Sequence, residues 1–160
     1  DSIRVFVPQK RKYYIESLYS HYAHTHYAEH LDVVREIIQK DYPSYLKSFD
    51  KIVKQTSGYM FNMMIADRDI LNDYCSWLFD VLFSVFKKID SSNYSAFEKR
   101  YVGRISELLF NVWLKKTIED GRIKKKEILE LGFDVDENMI VKVPAFLKAK
   151  FLGKKYERSF

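Results

Sequence analysis

The sequence is poor in the residues that mark several common classes of protein. Its only cysteine is Cys75, so an internal disulfide framework is excluded and a reducing compartment fits the composition. Three prolines and five glycines exclude a collagen-like or low-complexity chain. No uninterrupted apolar run reaches the ~18 residues of a membrane span, and the N-terminus lacks a signal-peptide pattern. We therefore expect a cytoplasmic chain that is neither exported nor membrane-spanning.

Apolar and charged residues are distributed as in a single folded domain with a basic end. Hydrophobic residues form 47% of the 160 residues, enough for a proper core. The formal net charge is +5, and residues 141–160 contain six basic side chains and one acidic one. The first 140 residues are therefore balanced in charge, which argues against a nucleic-acid-binding face. We predict one domain over residues 1–140 and a basic tail over residues 141–160.

Helical periodicity dominates the chain. Apolar residues repeat at three-and-four spacing over residues 67–89, which predicts a core helix. A second long helix is predicted over residues 94–119, where Gly103 indicates either close packing or a local break. Shorter helices are predicted over residues 30–40 and 43–55. The predicted fold class is α+β and predominantly α-helical.

Strand signals are few and short. The β-branched and aromatic residues 3–7, closed by Pro8, predict a strand whose sheet we expect to lie upstream. Residues 59–65 are predicted as a buried strand or extended core segment, and residues 139–143 form a further strand candidate. We expect one or two of these strands in the folded domain.

Six short motifs follow one another between about Val5 and Leu114. In chain order they are Pro8-Gln-Lys-Arg-Lys-Tyr-Tyr, Leu18-Tyr-Ser-His-Tyr, Met60-Phe-Asn-Met-Met-Ile, Tyr74-Cys-Ser-Trp-Leu-Phe-Asp, Gly103-Arg-Ile-Ser-Glu-Leu-Leu and Asn111-Val-Trp-Leu. Together they resemble the C-terminal portion of a bacterial family of capsular and exopolysaccharide glycosyltransferases that carries a domain of unknown function. The Phe-Leu-Lys-x-Lys-Phe segment starting at Phe146 is also similar to that family.

The resemblance implies both a fold and an activity. It implies the helical C-terminal part of an α/β, GT-A-like glycosyltransferase that transfers a hexose from a nucleotide sugar such as UDP-hexose to a lipid-linked glycan acceptor. It also implies an N-terminal nucleotide-sugar half, which we expect this chain to lack and which would mainly hold any Mn²⁺ or Mg²⁺ ion. The reaction would take place at the inner face of the plasma membrane. The alternative function is a noncatalytic helical module that binds a partner protein or a membrane.

All four histidines lie within ten residues: His21, His24, His26 and His30. On a regular helix His26 and His30 share a face that could chelate a metal, and His21 and His24 lie nearly opposite, so one ion cannot bind all four. Imidazole can also bind a substrate hydroxyl or phosphate, and on this reading His21 and His26 are candidate substrate contacts. The remaining interpretation is that the histidines lie on a solvated helix or cap a loop.

The other candidate site residues are an asparagine, two charged residues and a tryptophan that lie within the motifs. Asn62 lies in an apolar run, where its amide would face a sugar hydroxyl or bond a neighbouring backbone group. Glu107 is the candidate base for an acceptor hydroxyl and Arg104 the candidate contact to a leaving diphosphate; the alternative is an ordinary intrahelical ion pair. Trp77 could stack on a sugar ring or pack in the core.

The tail suggests contact with a membrane surface. Lys148, Lys150, Lys154 and Lys155 surround an apolar face that includes Phe151, as in an amphipathic basic helix. Each such lysine near an anionic lipid surface contributes about 1 kcal/mol of binding free energy. The alternative is a solvated, frayed terminus.

Overall fold

The computed structural model describes residues 2–132, which form five α-helices, three single-turn 3₁₀ helices and five short strands. The helices are α1 (Leu18–Thr25), α2 (Glu29–Asp41), α3 (Leu46–Ile52), α4 (Arg68–Lys88) and α5 (Tyr101–Glu119). The strands are β1 (Val5–Pro8), β2 (Arg11–Lys12), β3 (Ser57–Gly58), β4 (Ile65–Ala66) and β5 (Ile128–Leu131). The predicted α+β class with a predominance of helix is confirmed, and the short strands outnumber the one or two expected.

The two long helices α4 and α5 form the centre of the domain, with α2 packed on α4 and α3 packed on α5. Val112 and Trp113 of α5 have no solvent exposure, and neither does Val81 of α4. The predicted core stripe of α4 is buried for the most part. Leu71 and Phe86 are exceptions, since 39% and 59% of their surface is exposed.

The strands form two small sheets on this helical base. β1 lies between β4 and β5, antiparallel to β4 and parallel to β5, with Val5 opposite both Ala66 and Ile128. Within residues 2–132 both partners of β1 therefore lie later in the chain, and further strands upstream stay a prediction. The second sheet pairs Arg11 and Lys12 of β2 with β3.

The segment predicted as a buried strand over residues 59–65 is mostly an exposed loop. Within it only Tyr59 is buried, and 55% of the Met63 surface is exposed. The apolar composition misled the prediction, because these side chains border a surface groove instead of filling the core. Gly103 lies inside the unbroken helix α5, and a Cβ at this position would meet nothing within 4 Å, so neither close packing nor a local break explains it.

Some predictions fall on residues outside this region. The strand candidate at 139–143 and the basic tail at 141–160, including its lysines and Phe151, lie outside the described residues. Among the helices of residues 2–132, none is both long and apolar enough to cross a membrane.

Candidate functional site

A cluster of ionisable side chains lies where β2 and the turn after it meet α1 and the first turns of α5. We call it the charged cluster; its members are Arg11, Tyr13, Glu16, His21, His24, Arg104 and Glu107. It unites three sequence motifs, the last of which lies more than 80 residues after the other two. Two of the predicted catalytic residues and one predicted substrate contact are in it.

The turn before α1 sets the position of half of this cluster. Tyr13 is fixed to the strand layer by a 2.8 Å hydrogen bond from its N–H to the Thr56 carbonyl. Tyr14 then takes a left-handed conformation with φ of 48°, which reverses the chain. Ser17 caps α1 by accepting the Ser20 N–H at 3.1 Å, so Glu16 lies immediately before the helix.

Glu16 is a buried carboxylate that binds two imidazoles. One of its oxygens lies 3.1 Å from Nδ1 of His21 and the other 2.5 Å from Nδ1 of His24. Only 5% of the Glu16 side chain is exposed, compared with 26% for His21 and 43% for His24. Because a carboxylate only accepts, both Nδ1 atoms carry a hydrogen and donate it, which leaves Nε2 of a neutral imidazole as an acceptor.

His21 is held in its neutral form by its surroundings. Its ring packs against Tyr13, with 4.0 Å between ring centroids. Burial lowers the pKa of His21, the bond to Glu16 opposes that shift, and the positive charges of Arg11 and Arg104 add to it. At neutral pH His21 therefore offers Nε2 as a hydrogen-bond acceptor.

Glu107 is a largely buried carboxylate that lies beside a guanidinium. Its carboxylate lies 3.3 Å from Nη1 of Arg104, and 14% of the Glu107 side chain is exposed. Burial raises the pKa of Glu107, whereas the Arg104 guanidinium and the charge of Arg11 lower it, and the net direction is upward. A carboxylate with a raised pKa takes up a proton more readily than an ordinary one.

The histidines divide into two pairs with different surroundings. His30 is fully buried, with Nδ1 at 2.9 Å from the Tyr22 hydroxyl and Nε2 at 2.8 Å from the Tyr94 hydroxyl. His26 is 2% exposed and stacks on Phe97 at 5.3 Å between ring centroids. These positions favour core packing over substrate contact for His26.

The geometry of the histidine segment also bears on metal binding. α1 ends at Thr25 and α2 begins at Glu29, so His26 and His30 do not form the regular helical pair that chelation would use. Within residues 2–132 no three or more His, Cys, Asp or Glu side chains are grouped to hold a metal ion.

The two remaining candidates differ in their surroundings. Asn62 is exposed and is fixed to the start of α5: its Nδ2 donates to the Gly103 carbonyl at 3.1 Å, and its Oδ1 accepts from Ser106 Oγ at 2.8 Å. It is thus attached to the same turn of α5 that carries Arg104 and Glu107. Trp77 is 7% exposed and stacks on Tyr45 at 4.7 Å, which favours core packing over a sugar contact.

Several residues of the site are not predicted by the sequence patterns. Arg11, Tyr13 and Glu16 were missed; the position of Glu16 five and eight residues before two histidines was the available signal. The buried amide that the apolar context of Asn62 suggested is in fact Asn111, which is 5% exposed. The sequence gives little indication that Asn111 is buried, because a polar residue in a helical pattern is usually interpreted as facing solvent.

The chain is similar in sequence and in fold to known proteins. Residues 1–118 match the family described as a domain of unknown function (DUF4422), and the chain belongs to that family. A solved structure, described as the WbbM bifunctional glycosyltransferase in its apo form, is similar to this chain with 31% identity and a TM-score of 0.75. The similarity covers 86% of this chain and 25% of the WbbM chain, so this chain spans about a quarter of that protein. No curated protein sequence matches the chain.

These two findings support membership of a glycosyltransferase-related family. They agree with the resemblance of the six motifs, and they extend it from the sequence to the overall fold.

Proposed function

We propose that the chain is part of a glycosyltransferase that moves a hexose from a nucleotide sugar, such as a UDP-hexose, to a lipid-linked glycan in capsular or exopolysaccharide biosynthesis. The observation that carries the proposal is Glu107, a largely buried carboxylate with a raised pKa, next to Arg104 and in the field of Arg11. Glycosyl transfer to a hydroxyl requires a base that accepts the hydroxyl proton and positive charge that stabilises the leaving diphosphate.

In the proposed transfer, Glu107 takes up the proton of the acceptor hydroxyl. The acceptor oxygen attacks the anomeric carbon, its proton passes to Glu107, and the bond from that carbon to the diphosphate oxygen breaks. The electron pair leaves with the nucleoside diphosphate. Arg104 and Arg11 would stabilise the negative charge that develops on the leaving group, in a partly buried site.

The imidazoles would orient the acceptor. Nε2 of His21 can accept a hydrogen from a sugar hydroxyl, and Glu16 fixes both the tautomer and the ring orientation through Nδ1. His24 shares the same carboxylate and is the more exposed ring. Glu16 is therefore assigned as a positioning residue, whereas the histidines touch the ligand.

Donor recognition is assigned to another part of the molecule. The N-terminal half implied by the resemblance would bind the nucleotide and any Mn²⁺ or Mg²⁺ ion. No step proposed for the charged cluster passes through a metal.

The basic tail with Lys148, Lys150 and Phe151 would attach the enzyme to the anionic inner face of the membrane, where a lipid-linked acceptor is found. Co-sedimentation with anionic vesicles, before and after deletion of residues 144–160, measures this attachment.

The test is a transfer assay with a UDP-hexose and a lipid-linked glycan, using the protein purified at its native length. Glu107→Gln should lower turnover about 10²-fold or more, the range expected for loss of a general base. Because burial raises the pKa of Glu107, the neutral glutamine should leave the unfolding free energy at neutral pH equal to or above that of the wild type.

A matched variant on the same helix controls for charge removal. Glu119→Gln makes the identical change at an exposed position that pairs with Lys115 at 3.0 Å, and it should retain turnover. Near-normal turnover of Glu107→Gln would remove this residue from the mechanism. Retained turnover in Arg104→Gln as well would favour the noncatalytic module instead.

A further inference from the structure

An apolar groove opens between α4, the loop before β4 and the start of α5, and its volume is about 320 Å³. That volume is at the lower end of the range for small-molecule sites, roughly 300–1,000 Å³. The apolar side chains that line it include Met63, Met64, Leu78, Phe79, Leu82 and Phe110.

The lining of the groove selects an uncharged, apolar occupant. Among the described residues, none that lines it carries a charge. Of its polar members, Asn62 and Ser106 already bond to each other and to the Gly103 carbonyl. A sugar or a nucleotide would leave its hydroxyls or phosphates unpaired against such a wall, at a cost of roughly 1 to 3 kcal/mol for each buried group.

The uncharged lining and the length of the apolar surface suit an extended hydrocarbon chain. The apolar surface also continues along α4 as a stripe of exposed side chains, with Phe83 and Phe86 at 62% and 59% exposure. From Leu71 to Phe86 this stripe extends about 22 Å at 1.5 Å per residue.

The groove begins beside the charged cluster. Ser106, in its wall, lies between Arg104 and Glu107 in the sequence of α5, and Asn62 is bonded to the same turn of the helix. A ligand with a polar head and a long apolar chain could therefore place the head at the cluster and the chain in the groove. Neither region alone would suit both parts of such a ligand.

We propose that this groove binds the hydrocarbon chain of a lipid-linked acceptor. The identity of the ligand as an acceptor rests on the proposed function, whereas the binding of an isoprenoid or acyl chain rests on the groove alone. Met63 and Met64 suit this role, because flexible thioether side chains adapt to a chain without fixed shape.

The single cysteine of the chain gives a direct readout of occupancy. Cys75 is partly exposed and lines the groove, so a chain bound there should shield its thiol. The experiment measures the rate of alkylation by N-ethylmaleimide with increasing farnesyl phosphate below its micelle concentration. Since only the unoccupied form reacts, the rate should fall about tenfold at a concentration about ten times the dissociation constant. Dimethylallyl phosphate and inorganic phosphate, which share the head but not the long chain, should give little protection.

Two matched variants assign the protection to this groove. Met63→Asp changes an exposed wall residue and should abolish protection without unfolding the domain. Leu129→Asp places the same charge at an exposed apolar residue of β5, outside the groove lining, and should leave protection intact.

Unchanged alkylation in the presence of farnesyl phosphate would overturn the proposal, as would equal protection in Met63→Asp or by the short-chain phosphates. The assay includes no sugar donor and no transfer, so its failure would leave the proposed function standing. Conversely, loss of the transfer hypothesis through Glu107→Gln would leave a positive protection result as evidence for a lipid-binding groove.

Discussion

Replacement of Asn111 by alanine should destabilise the domain strongly, because this amide pairs three backbone groups. Its Oδ1 accepts the Tyr59 N–H at 2.8 Å, and its Nδ2 donates to the carbonyls of Tyr59 at 3.0 Å and of Glu107 at 2.9 Å. Tyr59 is 7% exposed, so water cannot readily replace the lost partner. The amide thus attaches the segment after β3 to the middle of α5.

The magnitude follows from the groups left unpaired. Alanine at position 111 leaves the N–H and the carbonyl of Tyr59 without this partner, and each buried unsatisfied group costs about 1–3 kcal/mol. The Glu107 carbonyl adds less, because it lies within the helix and can still accept a helical N–H. The expected loss in unfolding free energy is therefore about 2–6 kcal/mol.

Equilibrium urea unfolding followed by tryptophan fluorescence measures this loss, and two comparisons make it specific. Asn111→Asp keeps the shape and one acceptor but cannot donate to Tyr59, and it should destabilise about as much as alanine. Asn62→Ala removes an exposed amide with two hydrogen bonds, which water can replace, and should cost under about 1 kcal/mol.

Two outcomes would refute the reasoning. If Asn111→Ala unfolds within about 0.5 kcal/mol of the wild type, the three hydrogen bonds do not hold the segment in place. If Asn111→Ala lowers the unfolding free energy but Asn111→Asp does not, the amide acts through its volume and its acceptor alone, and the two donated hydrogen bonds do not contribute to stability.

Two further predictions concern glycine positions and acid. Gly103→Ala should raise the unfolding free energy by about 0.5–1 kcal/mol, because nothing lies within 4 Å of the added Cβ. Gly121→Ala should lower it by about 1 kcal/mol, because φ there is +72°. Urea unfolding measures both changes, and a loss of stability at position 103 or a gain at position 121 would contradict the corresponding prediction. Because the pKa of His21 is lowered on folding, the unfolded chain takes up a proton that the folded chain resists, so stability should fall as the pH drops below 6.5. That fall should be smaller in His21→Gln, and parallel stability curves for the two proteins would count against it.

The helical framework could be predicted from sequence because it depends on local periodicity. The buried residues of α4 repeat at helical spacing and were predicted as core. The same helix carries a second apolar stripe with Phe79 and Phe83, which are 51% and 62% exposed. Periodicity identifies which residues share a face, but it does not identify which apolar face finds a partner within the fold.

The candidate site could be predicted only in its local part. Arg104 and Glu107 are three residues apart on one helix, so their pairing follows from spacing alone. Arg11 and Glu16 join them through the pairing of β2 with β3 and through the left-handed turn at Tyr14, which are long-range or single-residue features. No repeating pattern in the sequence contains that information.

The first half of α5 connects all the features on which the proposed function depends. Successive side chains of a helix point about 100° apart, so a short stretch can face several surroundings. Arg104 and Glu107 belong to the charged cluster, whereas Ser106 and Phe110 line the groove. Asn111 is bonded to the backbone of the segment after β3.

This arrangement is rigid because the helix is anchored beyond the site. Val112 and Trp113 are fully buried, and Ile105 and Leu109 have no exposure between the site residues. The proposed base and the proposed binding wall lie on the same anchored helix and should keep a fixed separation, and fixed geometry lowers the entropic part of a transfer barrier. A substitution that loosens this helix should therefore reduce transfer and chain binding together, whereas Glu107→Gln and Met63→Asp should each affect one of them.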